Sequence, residues 1–281
     1  MATITELKDT VIQIRRDIVR MVHANSSGHP GGSLGCAEFL TALYFDVMNH
    51  NTDFTMDGIN EDIFFLSNGH ISPVFYAVLS RRGYFNISEL ATFRRIDSRL
   101  QGHPTPHEGL EGIRMASGSL GQGLSTAIGA ALTKKLNDDD SIVYTLHGDG
   151  ELQEGQVWEA FMYASGKQVD NLIATIDYNQ KQIDGTIDEV LPIGNLTAKL
   201  EAFDWVVLEE LEGNNVEAII NTLNRAKELT GKKKPVAIIL HTEMGNGVDY
   251  MMGTHKWHGS APNDEQLSKA LSQNTETLGD Y

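Results

Sequence analysis

Five short stretches of the chain are apolar almost without interruption, at residues 63–66, 142–146, 172–176, 205–208 and 236–240. Ile142-Val143-Tyr144-Thr145-Leu146 and Leu172-Ile173-Ala174-Thr175-Ile176 are β-branched and apolar on both faces, as strands buried in a parallel sheet require. Other segments space their apolar residues as helices do, at residues 6–24, 35–48, 120–136, 156–166 and 216–229. Leu7, Val11, Ile14 and Ile18 mark the first of these, and Val157, Trp158, Ala160, Phe161 and Ala164 the fourth. Strand and helix patterns alternate, which predicts an α/β fold: a doubly wound, mostly parallel sheet with helices on both faces. There is no internal repeat and no linker-like stretch, and residues 51–60 and 231–235 read as loops, so residues 1–281 are expected to form a single domain. Residues 272–281 are polar and patternless, and a loose C-terminal tail is expected there unless a partner orders it.

Composition narrows the function. With 41% apolar residues in a chain of 281, a substantial core can form. A formal charge of -16 argues against binding nucleic acid or an anionic membrane as the main activity. The single cysteine, Cys36, excludes an internal disulfide framework and fits a reducing compartment. No apolar stretch approaches the length of a membrane span, and residues 1–16 lack the layout of a signal peptide, so a cytoplasmic protein is expected.

The chemistry begins where two of the expected strands end. Gly148-Asp149-Gly150 follows the 142–146 run, and Asn179 follows the 172–176 run, with one helical segment between. In a parallel sheet both would emerge on the carboxyl edge, where ligands gather. A carboxylate and an amide oxygen so placed suit a hard divalent cation, which would in turn hold a diphosphate. The alternative is ordinary turn chemistry, with Gly-Asp-Gly as a turn and Asn179 capping the loop before Asp184-Gly185.

Four of the ten histidines lie in glycine-rich loops: His29 in Ser27-Gly28-His29-Pro30-Gly31-Gly32, His70 in Ser67-Asn68-Gly69-His70, His103 in Gln101-Gly102-His103-Pro104, and His255 in Gly253-Thr254-His255-Lys256-Trp257-His258-Gly259. Glycine permits close approach of a ligand, while histidine can hydrogen-bond sugar hydroxyls or phosphate and move protons near neutral pH. The repeated context suggests a polyol or sugar-phosphate channel, against the simpler reading of hydrogen-bonded loop histidines. Zinc is a poorer fit, because close helical spacing and cysteine ligands are missing, and His255 and His258, three apart, have no evident third ligand. Gly118-Ser119-Leu120-Gly121-Gln122-Gly123 leads into a helical segment, a place where backbone N–H groups can meet a ligand or where small residues can pack closely. Glu154 is either a buried acid or an N-terminal helix charge.

Together these segments resemble the thiamine-diphosphate-binding N-terminal domain of transketolase. The resemblance runs in order through the His-Pro-Gly-Gly loop after Ala24-Asn25-Ser26, Leu66 to His70, Gly102-His103-Pro104, Gly118 to Gly123, Gly148-Asp149-Gly150-Glu151-Leu152-Gln153-Glu154-Gly155, and His255 to Gly259. It implies that Asp149 and the Asn179 side chain bind Mg²⁺ or Ca²⁺, with the main-chain carbonyl of Lys181 as third protein ligand. It further implies that Gly150, His70 and His255 line the diphosphate, that Gly118, Ser119, Leu120 and Ile183 lie along the cofactor, and that His29, His103 and His255 face the donor sugar, where such histidines relay a proton as a ketose carbon–carbon bond breaks. Glu154 resembles an acid that joins a carboxylate network across the family's dimer interface. The activity implied is transfer of a two-carbon ketol unit from a ketose, expected to be phosphorylated, to an aldose acceptor.

Lys181, His147 and Ser119 depart from common family residues. The larger departure is length. The resemblance implies that a second domain supplies the glutamate that activates the aminopyrimidine ring and the arginines for substrate phosphate. The chain is therefore expected to act with a C-terminal transketolase-like subunit, as a heterotetramer, the alternative being that it is an isolated fragment. Two other functions stand beside this one: a subunit of another thiamine-diphosphate enzyme, such as a deoxyxylulose-phosphate synthase or a 2-oxo acid dehydrogenase α subunit, and a non-catalytic scaffold.

Overall fold

The computed structural model describes residues 2–281. Its centre is a five-stranded, wholly parallel sheet in the order β1-β2-β3-β7-β6. The strands are β1 (Ile63–Leu66), β2 (Val143–Gly148), β3 (Leu172–Asp177), β6 (Val206–Glu210) and β7 (Val236–Leu240). A small antiparallel hairpin of β4 (Lys181–Gln182) and β5 (Gly185–Thr186) lies beyond β3. All five apolar runs become these strands, and the expected α/β architecture is the one observed.

Strand order explains why both faces are covered. The chain moves one way across the sheet from β1 to β3, through α5 (Gly123–Leu136) and α6 (Gly155–Gly166), and the opposite way from β6 to β7, through α9 (Val216–Leu229). Right-handed crossovers in opposite directions must place their helices on opposite faces. Accordingly Leu124, Ile128, Val157, Phe161 and Leu200 of α8 (Leu196–Ala202) share one core with Val143, Leu172 and Ile239. Leu7, Ile14 and Ile18 of α1 (Ile4–Ala24), Phe39 and Leu40 of α3 (Ala37–Ala42), Val78 of α4 (Ser72–Arg82) and Leu223 of α9 share the other with Phe64, Tyr144 and Ile238. The direction of winding reverses between β3 and β7, the position at which open α/β sheets open a ligand crevice at their carboxyl edge.

Several boundaries differ from those the pattern predicts. The expected helix at 35–48 is three pieces: α2 (Pro30–Gly35), α3, and a wider π-type turn at Leu43–Val47. Pro30 opens the first piece, where its missing N–H costs nothing, and Cys36 leaves helical geometry between the first two. His29 is thereby placed at a helix start. The short α7 (Ile187–Val190) follows the hairpin, and α10 (Asp264–Gln273) is capped by Asn263.

The expected loose tail at 272–281 is overturned. Asp280 pairs with Arg16 and Arg20, the Gln13 side chain accepts hydrogen bonds from the Thr277 and Leu278 N–H groups, and the Arg20 guanidinium lies 4.5 Å from the centre of the Tyr281 ring. The reason lies in α1, where Gln13, Arg16 and Asp17 are buried polar residues that need partners. The tail, together with Arg81, supplies them.

Candidate functional site

At the carboxyl edge of β1, β2 and β3 a cavity of about 380 Å³ is lined by Asn68, His70, Gly118, Leu120, Asp149, Gly150, Glu154, Asn179, Lys181, Ile183, His29 and His258 among others. Segments separated by more than two hundred residues meet here because three parallel strands end side by side. A larger, more open hollow of about 770 Å³ adjoins it, sharing Asn179 and Lys181, at the ends of β3, β6 and β7. His29, His70, His258, the glycine loop and Asp149 line the smaller cavity and not the larger hollow.

Its acidic end is built by two strand termini. Asp149, buried just past β2, accepts hydrogen bonds from the N–H groups of Gly150 and Gln180. Gln180 adopts a positive φ of 60°, an uncommon conformation for a non-glycine residue, which turns the chain between Asn179 and Lys181 back toward Asp149. Asn179 donates to Asp177 at 2.8 Å and its oxygen accepts from the Lys181 N–H, contacts that agree with the turn reading of this residue. Burial, with the nearby Asp177 carboxylate, pushes the Asp149 carboxyl up to about 8. Two buried carboxylates without a cation are a costly arrangement, and a divalent ion removes the cost.

A metal-diphosphate group fits these residues. Among the described residues no three His, Cys, Asp or Glu side chains are arranged to hold a metal ion by themselves. The oxygens at hand are a carboxylate, an amide and the backbone of a tight turn, a hard-donor set of the kind Mg²⁺ accepts when phosphate completes its shell. Lys181 sends its ammonium away to Glu243, at 3.3 Å, so its charge is balanced outside the cavity. Buried polar atoms without partners also gather here: Asn68 Oδ1, His29 Nδ1 and His258 Nδ1. Native proteins rarely leave such atoms orphaned, and a polar ligand would satisfy them.

The other end is a histidine cluster. The His29 ring centre is 5.1 Å from that of His70, 5.7 Å from His258 and 6.4 Å from His103, and His70 stacks on His258 at 4.9 Å. The rings meet by faces and edges rather than by converging nitrogens. Burial lowers all four: His29 falls to about 4, helped by His258, Arg94 and His103; His70 falls well below its ordinary value; His103 and His258 fall as well. Four neutral imidazoles can each donate and accept, as a polyhydroxy substrate requires.

The placement of the sequence-identified residues is uneven. His29, His70, Gly118, Leu120, Asp149, Gly150, Glu154, Asn179, Lys181 and Ile183 line the cavity. His103 stands beside it, packed so closely on Gly118 that a Cβ there would lie 2.5 Å from the ring; Gly118 also has φ +115°. Ser119 is exposed and outside the lining. Glu154 is not a buried acid but an exposed residue at the N-cap position of α6, on the rim. His255 is a correction: it lies outside the lining, and His258, three residues later, takes the place in the cluster. The loop doubles back after His255, as the His258 N–H bond to the His255 carbonyl shows.

Glu151 lies in the Gly148–Gly155 motif without a role assigned to it, and Arg94 lies outside every motif, so neither is singled out by the sequence. Glu151, 2% exposed, accepts from Ser67 Oγ, from the Gly121 N–H at 2.9 Å and from the Gly148 N–H at 3.1 Å. Burial alone would raise its carboxyl, but His147, Ser67 and Gly121 hold it below the usual carboxylate range. One side chain therefore fastens the end of β1, the glycine loop and the end of β2. His147 does not reach the cavity; its Nε2 bonds Thr145 Oγ1 at 2.7 Å and its Nδ1 lies 3.6 Å from Glu151.

The family profile described as "Transketolase, thiamine diphosphate binding domain" matches residues 7–276. The chain belongs to the transketolase family. An apulose-4-phosphate transketolase subunit from Phocaeicola vulgatus is 39% identical to it over 264 residues, covering 94% of this chain and 92% of that protein. The 6-deoxy-6-sulfo-D-fructose transketolase subunit SqwG of a Clostridium species is 39% identical over 249 residues, covering 88% of each. The crystal structure of transketolase from Campylobacter jejuni superposes with a TM-score of 0.89 at 32% identity, over 97% of this chain and 43% of that one. The chain thus spans less than half of that longer transketolase and nearly all of the two subunits. Among the described residues no helix is long and apolar enough to cross a membrane.

Proposed function

We propose that this chain is the N-terminal subunit of a two-chain transketolase, moving a two-carbon ketol unit from a ketose, in the simplest case a phosphorylated one, to an aldose. One observation carries the reading: a single cavity joins a hard-oxygen pocket at Asp149 and Asn179 to a cluster of neutral histidines at His29, His70, His103 and His258. The first suits a metal-bound diphosphate and the second a sugar. That the two relatives matched over most of their length are named transketolase subunits supports a partner chain.

In this reading Asp149, Asn179 and the Lys181 backbone hold Mg²⁺ or Ca²⁺ with the diphosphate of thiamine diphosphate, while Gly118, Leu120 and Ile183 lie along the cofactor. When bound, thiamine diphosphate supplies the electron sink for breaking the ketose carbon–carbon bond. The chain's own groups orient the donor: His29, His103 and His258 hydrogen-bond its hydroxyls, and their neutral state leaves a nitrogen free to take a proton from a hydroxyl group as the bond breaks. A C-terminal transketolase-like subunit completes the site in a heterotetramer, and the free, buried Cys36 fits a cytoplasmic setting.

A donor screen tests this. The two-chain complex with thiamine diphosphate and Mg²⁺ is expected to use ketose phosphates and to leave pyruvate untouched. Pyruvate turnover would point to a different thiamine-diphosphate enzyme, and calorimetry showing no cofactor uptake would point to a scaffold.

A further inference from the structure

Arg94 takes no part in the chemistry described so far, yet its surroundings are unusual. Arg15, Arg16, Arg81, Arg99 and Arg114 each pair with a carboxylate, whereas Arg94, like Arg82, Arg95 and Arg225, has no carboxylate partner among the described residues, and of these four it is the one that acts on the histidine cluster. It has a positive φ of 57°, held by an N–H bond to the Leu100 carbonyl at 2.9 Å, and its Nε is buried without a partner. An unpaired, half-buried cation on a strained backbone is unfavourable for folding alone. The guanidinium bonds Ser27 Oγ at 2.7 Å, two residues before His29. It also lies flat against Gly102, one residue before His103, where an added Cβ would be 2.8 Å from Cζ.

We infer that Arg94 is a positioning residue of the donor site, bridging the loops that carry His29 and His103 and keeping the imidazoles between them aligned. The inference rests on the proposed transketolase reading, since it assigns those histidines to the sugar. The charged and titratable groups facing His29 are His70, His103, His258 and Arg94; those facing His103 are His29, His70 and Arg94; Asp184 and His255 act on His258. Of these only Arg94 carries a fixed positive charge, so it opposes protonation of both loop histidines at any pH the protein meets. A carboxylate partner would cancel that field, which explains its omission. A planar, five-donor guanidinium is also the side chain able to touch both loops at once.

Two variants separate charge from bridging. Histidine titrations by NMR on the full chain should show the His29 and His103 midpoints rising by about half a pH unit or more in Arg94→Met, staying close to wild type in Arg94→Lys, with His241 as an unaffected control. In the two-chain enzyme Arg94→Met should raise the donor KM about tenfold and move the acid limb of kcat/KM to higher pH, with thiamine diphosphate affinity unchanged. Arg94→Lys and Ser27→Ala, which keep the charge but break the bridge, should raise the donor KM without moving that limb. Unchanged midpoints in a folded Arg94→Met chain would overturn the charge role. If that variant fails to fold, an unchanged donor KM in both Arg94→Lys and Ser27→Ala would overturn the bridging role. The titrations need no partner or turnover, so they read Arg94 even where ketol transfer itself is disproved.

Discussion

The Glu151 carboxylate accepts a hydrogen bond from the Gly121 N–H, 30 residues earlier in the chain, at 2.9 Å. That contact, with those to Ser67 and Gly148, makes the cavity wall one unit. Glu151→Gln places an amide N–H among groups that are mostly donors, and a mismatched buried group of this kind costs about 1–3 kcal/mol. Thermal unfolding should show the loss, and titration with thiamine diphosphate at fixed Mg²⁺ should show affinity weakened about tenfold. Wild-type values in both measurements would mean that the staple does not shape the cofactor wall.

Asp149 sets a pH dependence. Its folded carboxyl is raised to about 8 by burial and Asp177, so in the metal-free chain the folded state binds more protons than the unfolded state between the ordinary carboxylate range and pH 8. Its contribution to stability is full at low pH and is lost as pH rises through about 8. In the presence of a chelator, Asp149→Asn should therefore melt higher than wild type by roughly 3 °C or more at pH 8.5, the gap closing toward pH 5. Mg²⁺ with thiamine diphosphate should stabilise wild type and leave the variant unmoved. A gap that widens on acidification would reverse the sign and refute the account.

His258 and His255 are separable. His258 stacks on His70 in the cluster, and His255 lies outside the cavity lining. In the reconstituted enzyme His258→Ala should lower donor kcat/KM about a hundredfold, in keeping with removal of a positioned acid–base group, while His255→Ala should cost only a few-fold. The opposite ranking in steady-state kinetics would return His255 to the site.

The C-terminal segment should behave as part of the fold. Asp280 is held well below the ordinary carboxylate range by its bonds to Arg16 and by Gln13 and Arg20. This stabilisation is present above the unfolded carboxyl value and is lost as pH falls toward the folded one. Asp280→Asn should lower stability by about 1 kcal/mol at pH 7, measured by denaturant unfolding, with the difference vanishing at acid pH. No change at pH 7 would mean the tail is only laid on the surface.

Much of this architecture was legible in the sequence for identifiable reasons. Strands buried on both faces leave unbroken apolar runs, so β1, β2, β3 and β7 stand out, while the half-buried edge strand β6 shows only the short run of residues 205–208; Asp149 and Asn179 follow as polar residues just past two of these strands. By contrast α4 (Ser72–Arg82) is buried on nearly every side and lacks the polar face that marks a helix. The choice between His255 and His258 depends on how a loop turns, which spacing does not encode. Glu151 has no assigned role within its motif until three segments close around it, and Arg94 stands out only once the fold sets it between the loops of His29 and His103. The tail reads as patternless because its partners are buried polar groups on α1, which hydropathy cannot reveal.

On the proposed reading this chain carries half of a ketol-transfer site. The direct measurement is two-carbon transfer from a ketose phosphate to an aldose phosphate, with thiamine diphosphate and Mg²⁺, by the purified chain alone and by the chain mixed with a C-terminal transketolase-like subunit. Transfer is expected only in the mixture, and its loss there with Asp149→Ala. Transfer by the chain alone, or undiminished transfer by the mixture carrying Asp149→Ala, would contradict the claim.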